Sequence, residues 1–179
     1  DSSGDSTPVA QSNASPVTEP TREPSSTPSP SPTTPPPPLN LGPSVLVANR
    51  DSGSVSIIDT STDIVSHTIN LPAGADAPLA SYISYSVTQD QFYVGDDRND
   101  RIWVFDGETL EHVDTFVMSQ DVFHMWNNES QLWAVDRSAE VVTVFDLAGG
   151  NKLADVPIPA DLEALGGQPH DVVADSTHA

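Results

Sequence analysis

One fifteen-residue frame, written three times without a gap, predicts an all-β fold: a β-propeller of four-stranded antiparallel blades around a common axis. The frame reads VLVANRDSGSVSIID at 45–59, FYVGDDRNDRIWVFD at 92–106 and LWAVDRSAEVVTVFD at 132–146. Its copies are offset by 47 and 40 residues, the spacing of roughly 40–50 residues that one propeller blade occupies. A second observation concerns the second half of the frame. Ile57-Ile58, Val104-Phe105 and Val144-Phe145 put apolar groups on both faces of a strand. A sheet wedged between two neighbours reads that way, whereas the outer sheet of a sandwich keeps one wet face. A β-sandwich is the alternative, and it leaves the gapless repeat unexplained.

The elements follow in order. Residues 1–43 hold twelve of the seventeen prolines and no aromatic residue, the first aromatic being Tyr82. A segment so poor in large apolar groups cannot offset its ordering entropy, so it is expected to be a disordered Pro/Ser/Thr-rich linker or tether. The run PSPSPTTPPPP at 28–38 favours extended polyproline II, a semi-rigid spacer. Residues 44–179 remain for folded structure, enough for one ordinary core.

Within that part each frame supplies two strands, expected at 45–49, 92–96 and 132–136 and then up to Asp59, Asp106 and Asp146. Four turn-prone residues separate them, and β-branched and aromatic runs bounded by Gly, Asn, Asp and Ser read as hairpins. The closing Asp is placed to accept from backbone N–H groups just beyond it. Third strands are expected at 64–71, 112–117 and 153–158. Fourth strands, each opening the next unit, are expected at 81–87, 122–126 and 170–174. The units then run at about 45–79, 80–120 and 121–168, with the start of another at 169–179. Pro157, Pro159 and Pro169 bracket an insertion in which 161–165 is expected to make one helical turn. Trp103, Trp126, Trp133, Tyr82 and Tyr85 sit on strands and read as packing between blades.

The stretch VLVANRDSGSVSIIDTSTDIVSHTI resembles the repeat of the YVTN family of β-propellers, in which a Tyr-Val-Thr-Asn strand precedes a Val-Ser-Val-Ile-Asp-Thr strand. FYVGD with IWVFDGETL and LWAVD with VTVFDLAGG are similar to it, but they keep the closing Asp and lose the Asn. GGQPHDVVADSTHA is similar to the family's inner strand. The resemblance covers about residues 45–179 and is specific for fold rather than function. It implies about seven blades in the parent, so the three units here read as an incomplete propeller, a fragment.

Composition narrows the function classes. The formal charge is −20, of which −17 falls on residues 44–179, where Arg50, Arg98, Arg101, Arg137 and Lys152 are the only fixed cations. Such a surface repels phosphate backbones and anionic headgroups, so no nucleic acid is expected as a partner. There is no Cys, hence no disulfide or thiolate site, and no apolar run long enough for a transmembrane segment. A tether ahead of a domain suits an exported protein at the periplasm or cell surface, with a possible lipid anchor upstream of residue 1.

No phosphate loop, nucleophile elbow or two-His zinc helix is present. The acid-rich loop 96–100 lacks the spacing of a calcium site and reads as a solvated turn. His67, His112 and His178 read as surface residues. His124 and His170 differ: they lie 46 residues apart, each opening an innermost strand at the channel mouth, where one unit earlier Ile83 or Ser84 stands. His124, His170 and Asp171 are therefore the candidate ligand-binding residues, with Asp171 placed to orient an imidazole from a neighbouring blade or to cap its own turn. Two imidazoles would also suit a transition metal, although a metal site wants three or four ligands. The expectation is a non-catalytic propeller binding a protein or a small-molecule ligand. The alternative is a propeller enzyme, for metal-dependent redox chemistry or lactone hydrolysis, using the channel mouth.

Overall fold

A computed structural model describes residues 38, 39 and 41–174 of the protein. Nearly all of the expected spacer, and His178, lie outside the described residues. The chain forms β1 (Ser44–Asn49), β2 (Ser54–Asp59), β3 (Ile64–Asn70), β4 (Ala80–Ser86), β5 (Gln91–Asp96), β6 (Arg101–Asp106), β7 (His112–Val117), β8 (His124–Asn127), β9 (Gln131–Asp136), β10 (Val141–Asp146), β11 (Lys152–Pro157) and a one-turn helix α1 (Ala160–Glu163). They make one three-stranded sheet, β1-β2-β3, and two four-stranded sheets, β4-β5-β6-β7 and β8-β9-β10-β11. All pairings are antiparallel between sequence neighbours. We call the sheets blades 1, 2 and 3.

Strand alternation divides each blade into a face toward the blade before it and a face toward the blade after it. Between blades 1 and 2 lie Val55, Ile57 and Leu71 of the first and Phe92, Val94, Trp103, Phe105 and Leu110 of the second. Between blades 2 and 3 lie Tyr93, Ile102, Val104, Phe116 and Met118 of the second and Val122, Met125, Leu132, Ala134 and Phe145 of the third. Blade 2 is thus buried on both faces, as the doubly apolar strands require. Each fully buried aliphatic or aromatic side chain here contributes roughly 1.5–3 kcal/mol. Blade 3 turns Trp133, Val142 and Val144 the other way, where Val172 and Ala174 cover part of them.

The frame repeats in backbone detail as well as in sequence. A bulge interrupts the pairing of second to third strand at Ile57/Ile58, Val104/Phe105 and Val144/Phe145, the same place in every blade. The fourth residue of each first hairpin turn has positive φ: Gly53 at 58°, Asp100 at 54° and Glu140 at 58°. The closing aspartates act as expected: Asp59 accepts from the Ser61 N–H, Asp106 from the Glu108 and Thr109 N–H groups, and Asp146 from the Gly149 N–H. The hydroxyls of Ser61 and Thr109 first, and then these N–H groups, hold the carboxyls of Asp59 and Asp106 below their ordinary range.

Several expectations need correction. The segment 170–174 is not a strand; among the described residues no further strand lies beside it to pair with, and its Val172 and Ala174 instead pack on blade 3. The strand expected at 122–126 begins only at His124, because the carboxylate of Asp121 is drawn to the N–H groups of Arg137 and Ser138. Trp103 and Trp133 are buried, but Tyr82 and Tyr85 are exposed. His67 is half-buried rather than a surface residue, and its Nδ1 is buried without a partner among the described residues.

Candidate binding site

The register places the β1–β2, β5–β6 and β9–β10 turns at one end of the blades, together with the entries to β4 and β8. All four arginines of the folded part, Arg50, Arg98, Arg101 and Arg137, sit in or beside these three turns. Three are engaged by groups of the described residues: Arg50 with the Asp97 carboxylate, Arg98 with the Ala77 carbonyl, and Arg101 with the Asn99 carbonyl. The guanidinium of Arg137 instead lies 4.0 Å from the centre of the Phe123 ring.

Phe123 and Arg137 belong to a cluster that gathers the sequence candidates. The Tyr82 ring meets His124 edge-on at 4.9 Å and Phe123 at 6.0 Å, and Phe123 meets His170 edge-on at 4.8 Å. Asp171 lies between the two imidazoles. Its Oδ2 is 2.9 Å from His170 Nδ1 and its Oδ1 is 3.7 Å from His124 Nε2. The hydrogen bond to His170, then the nearby charge of His170 and His124, holds the Asp171 carboxyl below its ordinary range. His124, His170 and Asp171, named from sequence, therefore come together, and His124 does open its strand. His170 does not, since its segment is irregular. The residue at the place of His124 one blade earlier is Tyr82, not Ile83 or Ser84. A bulge between Ala80 and Ile83 shifts the register there. Gly95 permits that bulge, because a Cβ on it would lie 2.5 Å from Ser81 Oγ.

The cluster does not fit a metal centre. The Val172 N–H points at His124 Nδ1 at 3.4 Å and Asp171 faces Nε2, so both nitrogens of that ring are turned to protein groups. Among the described residues no group of three or more potential ligands occurs. What the cluster offers is a half-exposed aromatic surface edged by a guanidinium, two imidazoles and a carboxylate, suited to non-covalent contact.

Two features escaped sequence reasoning. The first is Asp96, read as part of a solvated turn but fully buried. Its carboxylate accepts from the Leu79 and Arg98 N–H groups, the Asn99 amide and the Trp103 indole N–H at 3.0, 3.3, 2.8 and 3.1 Å. Asp136 does similar work in blade 3, accepting from Gln120 and Ala139. The signal was the fifth position of the frame, which holds Asn49, Asp96 and Asp136. Crowding by Asp136 and Asp121, second to burial, pushes the Asp100 carboxyl up.

The second is a cavity of about 710 Å³ at the opposite end, between blades 1 and 2. Leu41, Leu46, Ile57, Ile83, Phe92 and Leu110 line it, with Tyr85, Asp90 and Glu108 as polar lining. The Tyr85 hydroxyl donates to Asp90, and that bond, with burial and the charges of Asp90 and Glu129, pushes the phenol up to about 12. The cavity lies beside β1, which among the described residues has no fourth strand on its inner edge.

No protein-family model matches the chain, and no curated protein does. Solved structures do. The chain is similar to the WD40 repeats of RRP9 (TM-score 0.55, 18% identity, 64% of this chain and 35% of that one). It is also similar to Sqt1 of Saccharomyces cerevisiae (TM-score 0.57, 17% identity, 65% and 32%). Hydrazine synthase of Kuenenia stuttgartiensis matches as well (TM-score 0.56, 12% identity, 63% and 32%). The chain thus spans about a third of the length of these proteins. At such identities the likeness shows the fold alone, a β-propeller of four-stranded antiparallel blades.

Proposed function

We propose that this chain is a non-catalytic binding propeller of the YVTN repeat type, carried on an exported Pro/Ser/Thr-rich tether, which holds a protein partner at the end bearing the hairpin turns. The tether composition and the VLVAN…VSIID frame support the exported setting and the repeat type. The partner end is supported by one observation above others: Tyr82, Phe123, His124, His170 and Arg137 form a half-exposed aromatic and cationic surface. Aromatic residues and Arg are the groups that anchor protein interfaces. WD40-type propellers commonly serve as protein-interaction scaffolds, which agrees with this reading, although the fold alone does not choose a function. Nothing in the cluster is arranged as a nucleophile with its base.

A photo-crosslinking amino acid placed at Tyr82, or at Thr109 on the opposite end, tests the reading in cells of the source organism. A protein adduct from Tyr82 and none from Thr109 is the expected outcome, with the chain accessible to a protease added outside the inner membrane. Equal labelling from both ends would remove the assignment of the partner surface, and a protected chain would remove the exported setting.

A further inference from the structure

The turn between β8 and β9, Asn128-Glu129-Ser130, carries a group that neither the core nor the partner surface uses. Asn-x-Ser with x other than Pro is the acceptor pattern for an N-linked glycan. The pattern is short, and the geometry of the side chain gives it weight. Asn128 Oδ1 accepts from the Ser130 N–H at 3.2 Å, the Ser130 hydroxyl at 3.0 Å and the Gln131 N–H at 2.8 Å. With its oxygen held by the turn, the amide directs its nitrogen the other way. Asn128 Nδ2 makes no hydrogen bond among the described residues, and it is not buried. Other asparagine amides are committed: that of Asn127 to the Ser84 hydroxyl and the Tyr85 carbonyl, and that of Asn99 to Asp96 and the Asp76 carbonyl. The hairpin itself does not require this residue, since at the repeat offset of 40 residues blade 2 holds Thr88 in its place. Glu129 and Ser130 are exposed, although blade 2 stands complete beside the turn. The Glu129 carboxylate is drawn back to Ser86 and Thr88, so it is not turned toward an anionic donor approaching Asn128.

We propose that Asn128 is a glycosylation site, whose Nδ2 takes a sugar from a glycan carried on a lipid pyrophosphate by a transferase of the export route. This rests on the exported setting proposed above. A bond forms between Nδ2 and the anomeric carbon of the sugar, and the bond from that carbon to the pyrophosphate oxygen breaks. The lipid pyrophosphate leaves with the bonding pair, Nδ2 gives up one proton to a base of the transferase, and nothing is oxidised or reduced. The Ser130 hydroxyl, already turned to the Asn128 side chain, is the second group that the transferase reads. The β8–β9 turn lies at the end of the blades opposite the aromatic cluster. A bulky, solubilising group there leaves the partner surface open.

Peptide mass spectrometry of the full chain, purified from cells of the source organism, tests this. The expected result is a peptide containing Asn128 that is heavier by a whole glycan. Asn128→Asp and Ser130→Ala should each abolish the added mass, whereas Ser130→Thr keeps the hydroxyl and should retain it. Asn128→Asp still offers the turn an acceptor oxygen, and near-ultraviolet circular dichroism verifies that each variant is folded. An unmodified Asn128 in a chain that external protease reaches would overturn the proposal and leave the exported setting standing. An unmodified chain protected from that protease would overturn both. A glycan that survives Asn128→Asp would place the modification on another residue and overturn the assignment.

Discussion

The interface between blades 1 and 2 and the interface between blades 2 and 3 use the same repeat and the same kind of core, yet they differ along the inner strands. Where both blades have four strands, a row of polar links crosses the junction. The Ser81 hydroxyl donates to the Val122 carbonyl, the Asn127 amide to the Ser84 hydroxyl and the Tyr85 carbonyl, and the Ser86 hydroxyl and Thr88 N–H to Glu129. Where blade 1 has three strands, those places hold the cavity, and an exposed Arg50–Asp97 pair is the polar side-chain link between the hairpin turns. Such a surface pair contributes about 0–1 kcal/mol. The innermost strand therefore does more than line the axis. It fills the wedge between blades and carries their hydrogen bonds.

That contrast can be broken by mutation. Phe145→Ala in the filled interface should cost about 3–5 kcal/mol of unfolding free energy, because its neighbours Phe116 and Met125 cannot close the gap. Phe92 is equally buried but borders the cavity, so Phe92→Ala should cost less, about 2–3 kcal/mol. Equal losses by chemical denaturation would mean that the cavity closes in solution. The fifth position of the frame gives a smaller effect. Asp96→Ala strands the Trp103 indole and the Asn99 amide and should cost about 3 kcal/mol. Asn49→Ala in blade 1 gives up only bonds to the Ser54 and Ser56 hydroxyls, at about 1 kcal/mol. The smallest effect is one of pH. The Thr88 N–H chiefly, and then the Ser86 hydroxyl, hold the Glu129 carboxyl below its ordinary value of 4.5. A depressed carboxyl stabilises the folded chain above its unfolded value and loses that contribution as pH falls through the folded one. Melting temperatures of wild type and Glu129→Gln should therefore differ at pH 6 and converge as the pH is taken well below about 4.5.

Much of this architecture was legible in the chain, for a physical reason. Hairpin strands announce themselves through local alternation and turn residues, and the expected strands at 45–49, 92–96 and 132–136 start within one residue of β1, β5 and β9. The third strand expected at 112–117 coincides with β7. The inner strands were harder. They have one partner each, and their ends are set by side chains elsewhere, such as Asp121 bonding to Arg137 and Ser138. The bulge at Ser81 and Tyr82 depends on Gly95 in the next strand, which no local pattern reveals. The clustering of His124, His170 and Asp171 was anticipated from equal spacing, but Phe123 and Arg137 were not, because their meeting depends on how two loops cross. The burial of Asp96 was open to inference from its recurrence in the frame. A local view took an acidic turn to be wet.

Every strand here bonds only to the strand directly before or after it in the chain. None of the strand pairings among the described residues therefore has to wait for a distant segment of a polypeptide emerging from the ribosome. The hazard is confined to the interval between sheets, when the newest one has an uncovered apolar side. Residues 71–79 and 118–123, the passages between consecutive blades, are therefore the natural places for slowed translation or a chaperone to act.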